Sequence, residues 1–369
     1  MPGARTDFCV TMKDENADGA VFAVVLAGGF GERFWPLSRQ ARPKHHLSLL
    51  SERSLLETTL QRLEGLVPPH QILVLTSAPQ EEAVRKLLPG TPAQNILVEP
   101  ERRDTGAAMA LAAAMVGRLN PDATAVVLPS DHHIPSPAAL RQTLREAIRA
   151  ARDLNHIVTI AIPPTFACTA FGYLELDQNA VPGSPVRRLA RFHEKPERAV
   201  AESYIARGNF RWNAGMFVWT VRALRDALAH ANSALSDFAE RLIVSDAPGA
   251  LIASDFAALP KVSFDRAIME KIPVAYAVEA GFAWDDLGGW PAVGQYLALR
   301  EGGNASNVPV HALDASGNVV FSDQPAQQVA LLGVSGLIIV NTGDALLVCP
   351  QEESERLREL VGRLPQPLR

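Results

Sequence analysis

Residues 21–50 read VFAVVLAGGFGERFWPLSRQARPKHHLSLL. The first seven form an unbroken apolar run rich in β-branched side chains. A run of that kind suits a strand buried on both faces of a parallel sheet. It ends at once in Gly28-Gly29-Phe30-Gly31, followed by Glu32 and Arg33. Glycines let backbone amides approach phosphate oxygens closely, and a helix starting after them adds positive potential. From these residues alone, a plain turn with no ligand reads as well. Two familiar phosphate loops fail on spacing. Gly29 and Gly31 are followed by Phe34 where a dinucleotide fingerprint needs glycine, and no Gly-Lys-Ser/Thr follows Gly28. The flank is basic, with Arg33, Arg39, Arg42 and Lys44, and Pro36 and Pro43 stiffen it. Cations directly after such a loop favour a polyanionic ligand over a merely solvated basic segment.

Working outward, short apolar runs recur at 72–75, 96–98, 125–128 and 157–162, with helical patterns between them. The clearest helix spans 136–154. Ser136 can cap it, Pro137 suits the first helical position, and Leu140, Leu144, Ala147, Ile148 and Ala151 share one face. Shorter helical patterns cover 55–66 and 81–88. Alternation of this kind predicts an α/β fold with a doubly wound, mostly parallel sheet. Ligands of such sheets bind beyond the carboxyl ends of the strands. Past residue 300 the pattern changes. A polar linker at 301–307 precedes brief apolar runs at 319–321, 329–332, 337–340 and 345–348, and a last helix is expected over 352–364. This reads as a small all-β, β-helix-like C-terminal domain. The expected organisation is a flexible tail over 1–20, a catalytic domain over 21–298 and the β appendage over 306–369.

Composition narrows the function. Hydrophobic residues make up 47% of the 369 and charged residues 20%, as in an ordinary globular protein, and the net charge is -5. No basic footprint for duplex nucleic acid is visible. Cys9, Cys168 and Cys349 lie far apart, which argues against zinc and fits a reducing cytoplasm. The first 20 residues lack the apolar core of a signal peptide, and no run is long enough for a membrane helix.

Two acidic positions follow apolar runs. Asp131, in Pro129-Ser130-Asp131-His132-His133, stands where a metal ion meets nucleotide phosphates, although alone it reads more simply as a turn or cap residue. Asp286 lies in Trp284-Asp285-Asp286-Leu287-Gly288-Gly289-Trp290. Two such carboxylates would suffice for Mg²⁺, which keeps water and phosphate oxygens as its other ligands. In Phe192-His193-Glu194-Lys195-Pro196, Lys195 can pair with a phosphate and Glu194 can accept from sugar hydroxyls; a surface ion pair is the simpler reading without context.

Context comes from a resemblance. Residues 26–50 look like the signature of the sugar-nucleotide pyrophosphorylases, and FWPLSR followed by Pro43-Lys44 resembles, more narrowly, the mannose-1-phosphate guanylyltransferases. Further motifs appear in the family's order: Glu99-Pro100 with Arg103-Asp104-Thr105, Ser130-Asp131-His132, Phe171-Gly172-Tyr173, Glu194-Lys195-Pro196, Trp212-Asn213-Ala214-Gly215-Met216-Phe217, Phe264-Asp265 and Asp286. The resemblance implies that Leu26, Ala27, Gly28, Gly29, Gly31, Glu99, Arg103, Thr105 and Ser130 hold the nucleotide. Arg33 faces the leaving pyrophosphate, and Lys44 touches the reacting phosphates. Asp131 and Asp286 bind Mg²⁺. Gly172, Tyr173, Glu194 and Asn213 contact the hexose, and Lys195 its phosphate. Phe264-Asp265 has a mostly structural role. The chain departs from the family pattern at His45-His46, Asp104, Gly106, Ala107, Ala170 and Gly289.

The implied reaction transfers GMP from GTP to mannose 1-phosphate and releases pyrophosphate, with possible homodimerisation through the appendage. Two other readings remain: the same chemistry on another hexose 1-phosphate or nucleotide, and a nucleotide-sugar-binding regulatory subunit.

Overall fold

A computed structural model describes residues 20–177 and 185–369, so the expected tail lies outside the described residues apart from Ala20. Val21–Ala27 forms β1, whose centre is buried on both faces as its unbroken apolar run predicts. Its neighbours follow as β2 (Ile72–Ser77), β3 (Ile96–Glu99) and β4 (Thr124–Pro129), separated by helices α1 (Leu55–Arg62), α2 (Glu81–Leu87) and α3 (Asp104–Leu119). Helix α4 (Pro137–Leu154) begins where Ser136 accepts a hydrogen bond from the Ala139 amide, and it buries Leu140, Leu144, Ala147, Ile148 and Ala151. Burying such side chains stabilises by about 1.5–3 kcal/mol for each Leu or Ile, which outweighs helix propensity itself.

Beyond α4 come β5 (Val158–Ile162), β6 (Tyr173–Leu176), β7 (Val186–His193), α5 (Arg198–Arg207) and β8 (Phe210–Thr220). Then follow α6 (Val221–Ala231), α7 (Ser233–Val244), α8 (Pro248–Asp255) and β9 (Tyr276–Glu279). These nine strands form one sheet in the order β3-β2-β1-β4-β8-β5-β9-β7-β6. The expectation of a mostly parallel sheet holds for strand direction but not for neighbours. The β6–β7 hairpin reverses the chain, so β7 and β8 run against the other strands. With β8 inserted between β4 and β5, pairing is parallel from β3 to β4 and antiparallel on both sides of β8. Two buried clusters cover the two faces of this sheet.

The C-terminal unit is all-β before its last turns. After α9 (Trp290–Gly294), β10 (Ala298–Leu299) pairs with β11 (Ala305–Ser306). The coil continues through β12 (Val310–Leu313), β13 (Val319–Ser322), β14 (Val329–Leu332), β15 (Leu337–Asn341) and β16 (Leu346–Pro350). Parallel stacking puts Ala305 beside Val319 and Val319 beside Ile338, with β12 on β14, while β16 closes the unit antiparallel. Buried asparagines hold the coils at their corners. Asn304 Oδ1 accepts from the Asn318 amide and side chain, and Asn318 Oδ1 accepts from the Leu337 amide. Instead of one helix over 352–364, a 3₁₀ segment (Gln351–Arg356) leads into α10 (Leu357–Arg363). A third cluster joins this unit to the sheet: Phe34, Trp35, Leu47, Leu287 and Trp290 pack against Phe321, Ile338, Val340 and Leu357.

Candidate active site

The glycine loop leaves the carboxyl end of β1, but no α-helix begins after it. Two 3₁₀ turns, Glu32–Phe34 and Lys44–His46, follow, and the next α-helix is α1. The expected helix N-terminus is therefore absent. Prolines at 36 and 43 hold their preceding residues away from helical backbone, and the segment folds back on the loop instead. The Lys44 amide donates to the Phe30 carbonyl at 3.1 Å. Gly31 has φ +68°, and a Cβ there would collide with the Lys44 Cβ. Positive charge at this loop thus comes from side chains.

Those side chains meet the two acidic motifs. The His133 amide donates to the Asp285 carbonyl at 2.8 Å, and the Asp285 amide returns to the His133 carbonyl at 3.1 Å. This short bridge ties the segment after β4 to the segment before α9. Lys44 Nζ then lies 2.8 Å from Asp131 Oδ2 and donates to the Asp286 carbonyl at 2.6 Å. Burial would push the Asp131 carboxyl up, but the Lys44 ammonium beside it brings it below the usual carboxylate value. Burial pushes Asp286 up to about 6; Lys44 opposes this, while Asp285 and Asp131 add to it. The Asp131 carboxylate thus adds to the cost of ionising Asp286, and the Lys44 ammonium lowers it. Arg33 completes the group. Its Nη1 donates to the Gly288 carbonyl at 3.3 Å, and its Nη2 pairs with Glu355 at 2.8 Å.

The other two cations of the basic flank point elsewhere. Arg39 pairs with Asp344 on the appendage and donates to the Pro36 carbonyl, and Arg42 is exposed. A tight turn joins residues 39 and 42, leaving Arg42 exposed and Arg39 covered beside the Trp35 ring. The histidines are neutral packing groups: burial drives His45 down to about 3 and His132 down to about 4, and His132 Nδ1 accepts from the Trp284 indole.

A cleft of about 320 Å³ opens over this end of the sheet. Leu26, Ala27, Gly28, Gly29, Glu99, Arg103, Thr105, Ser130 and Asp131 line it together with Gly215, Phe217 and Asp265. Glu99 is 9% exposed, and burial lifts its carboxyl to about 7. Asp104 takes φ +62°, a conformation that Asn and Asp tolerate better than most side chains. The Thr105 hydroxyl is already engaged, accepting from the Phe264 amide at 2.8 Å.

On the sugar side, Asn213 Nδ2 donates to Asp265 Oδ1 at 2.9 Å, and Glu194 pairs with Lys195 at 3.0 Å. A Cβ on Gly172 would meet Glu194 Oε2 at 3.1 Å and the Phe192 ring at 2.8 Å, so only glycine fits there. The Tyr173 side chain is fully buried and its hydroxyl clips the Cys168 backbone, so it shapes the loop before Gly172. Asp265 is the residue that sequence reasoning undervalued. It opens a short π-helical turn, Asp265–Met269, and burial, then Glu194, raises its carboxyl to about 7. Such turns recur at functional sites. Among the described residues no group of three His, Cys, Asp or Glu forms a metal cage.

Residues 22–299 match the nucleotidyl transferase family, and residues 310–364 match a mannose-phosphate isomerase/GMP-like β-helix domain. The chain belongs to the nucleotidyl transferase family. Its curated relatives include xanthan biosynthesis protein XanB of Xanthomonas campestris pv. campestris (strain B100), 32% identical over 93% of this chain and 73% of that protein. Mannose-1-phosphate guanylyltransferase of Klebsiella pneumoniae is also 32% identical, over 93% of this chain and 74% of the relative. The solved structure of "mannose-1-phosphate geranyltransferase" from Thermus thermophilus superposes with a TM-score of 0.83 at 34% identity, covering 93% of this chain and 98% of that one. This nucleotidyl transferase is a sugar nucleotidyltransferase carrying a C-terminal all-β domain. Among its described residues no helix is long and apolar enough to cross a membrane.

Proposed function

We propose that the chain transfers GMP from GTP to mannose 1-phosphate, forming GDP-mannose and pyrophosphate. The observation that carries this reading is Lys44, held between Asp131 and the Asp286 backbone at the mouth of the glycine loop. Relatives named mannose-1-phosphate guanylyltransferase favour this pair of substrates.

An oxygen of the sugar phosphate attacks the α-phosphorus of the nucleotide, and the bond from that phosphorus to the bridging oxygen breaks. Pyrophosphate leaves with the electron pair. The attacking oxygen is already anionic, so no general base is needed. The obstacle is repulsion between two polyanions. Lys195 faces the sugar phosphate, Lys44 the reacting centre and Arg33 the departing pyrophosphate, each neutralising charge where it develops. The carboxylates of Asp131 and Asp286 fit a divalent cation. They are hard oxygen donors, Asp131 adds to the cost of ionising Asp286, and Lys44 and Arg33 offset it. Mg²⁺ held there would take its remaining ligands from phosphate and water and would polarise the phosphoryl oxygens. Glu194, Asn213 and Asp265 supply acceptors and a donor for hexose hydroxyls.

Asp131→Ala and Lys195→Ala should each lower turnover at least ~100-fold with the fold intact, as loss of one charge-stabilising contact does elsewhere. Pyrophosphate release measured across NTPs and hexose 1-phosphates checks both the residues and the substrates. Near wild-type turnover in both variants, or preference for another pair, would overturn the reading.

A further inference from the structure

We propose that Glu355, on the C-terminal appendage, is a displaceable counter-ion for Arg33 that competes with pyrophosphate for its guanidinium. The proposal rests on the reading that Arg33 faces the leaving pyrophosphate.

Three observations carry it. The first is the hydrogen-bond inventory of Arg33. Nη1 donates to the Gly288 carbonyl and Nη2 pairs with Glu355 at 2.8 Å, yet Nε is buried with no partner. The edge formed by Nε and Nη2 is the one that takes planar or tetrahedral oxyanions in bidentate fashion. Glu355 fills half of it. A phosphate engaging both donors would satisfy the orphaned N–H and so outcompete a single carboxylate oxygen.

The second is exposure. The Glu355 side chain is 69% exposed, against 24% for Arg33. Releasing Glu355 to water therefore costs little, whereas the arginine stays in its enclosed place.

The third is where Glu355 is mounted. Its 3₁₀ segment packs against α9, just after Asp286, and α10 beyond it packs on the turn that carries Arg33. The appendage thus sets a negative charge beside Arg33 that arriving β- and γ-phosphates must displace.

The test uses the full-length chain, with inorganic pyrophosphate and Mg²⁺ as the calorimetric probe and GTP in steady-state assays. Glu355→Gln should tighten pyrophosphate binding and lower the KM for GTP about two- to fivefold, the fold-change an exposed ion pair supports. The KM for the sugar phosphate and the thermal midpoint should not move. In an Arg33→Ala background the Glu355→Gln gain should vanish. Unchanged or weaker pyrophosphate binding in Glu355→Gln overturns the proposal, and so does the same gain in the Arg33→Ala background, which would mean only a diffuse charge effect. Arg33→Ala alone tests the underlying reading: wild-type pyrophosphate affinity there would remove Arg33 from the pyrophosphate end altogether.

Discussion

Glu99 shows how one side chain couples the site to pH. It ends β3 and is buried, and burial lifts its carboxyl from the ordinary 4.5 to about 7, with Arg102 offsetting this only in part and Asp104 adding to it. Between those two pH values the unfolded chain has lost this proton while the folded chain keeps it. The folded state binds more protons there, so stability falls as pH rises through the window. The cost is absent below the unfolded value and fully present above about 7. Glu99→Gln removes the titration and keeps the shape. It should match wild type near pH 4 and exceed it near pH 8 by on the order of 1–3 kcal/mol, read as a difference in thermal midpoint. Parallel midpoints at both pH values would sink this prediction. Asp131, Lys44 and Asn213 were legible in the sequence as expectations, because motifs carried them. Asp265 was not, because its importance lies in a contact with Asn213 on another element, made only once β8 and the π-turn are side by side. The burial of the Tyr173 side chain was not legible either, because the motif does not reveal how β6 packs.

At the level of elements, β1 to β5 were legible because unbroken apolar runs have few other uses, β6 to β9 were not, and α4 was legible because cap, proline and periodic face agree. The segment after β1 was not. Its glycines suggested a helix start, yet the chain turns back through residues 32–46, and Phe30 and Lys44 come together. That return depends on Gly31. With φ +68° and Lys44 in the space of a Cβ, Gly31→Ala must both strain the backbone and push Lys44 aside. The variant should lose about 1–3 kcal/mol of stability and roughly tenfold or more in kcat, since Lys44 is the residue displaced. Gly29→Ala is the matched control: nothing lies within 4 Å of its Cβ, so its stability should stay near wild type. Thermal melts and turnover of the two variants decide the matter. Equal effects at both positions would mean that the loop is not organised around the contact with Lys44.

At the scale of the whole molecule, composition suggests a boundary near residue 300, but how the two parts meet was not legible. A change from alternating helices and strands to short punctuated strands suggests a detachable appendage. The packing shows a shared core instead. The Trp290 indole donates to the Trp35 carbonyl at 3.0 Å, its ring meets Phe34 at 5.4 Å and Phe321 at 5.1 Å, and Leu357 closes over the same cluster. The turn that carries Arg33 therefore rests on residues supplied by the appendage. If that support matters, unfolding should be one cooperative transition, with tryptophan fluorescence and far-ultraviolet circular dichroism coinciding. Phe321→Ala should cost about 3–5 kcal/mol and lower kcat/KM as well, because the cavity it leaves lies under Trp290. Leu331→Ala offers the comparison. It also opens a buried position, but in the separate cluster of Val308, Ala315 and Val320, away from the glycine loop. It should destabilise by about 2–5 kcal/mol while leaving kcat/KM of the folded fraction near wild type. Equal activity losses in both variants, or two separate unfolding transitions in wild type, would show that the appendage and the site are not mechanically joined.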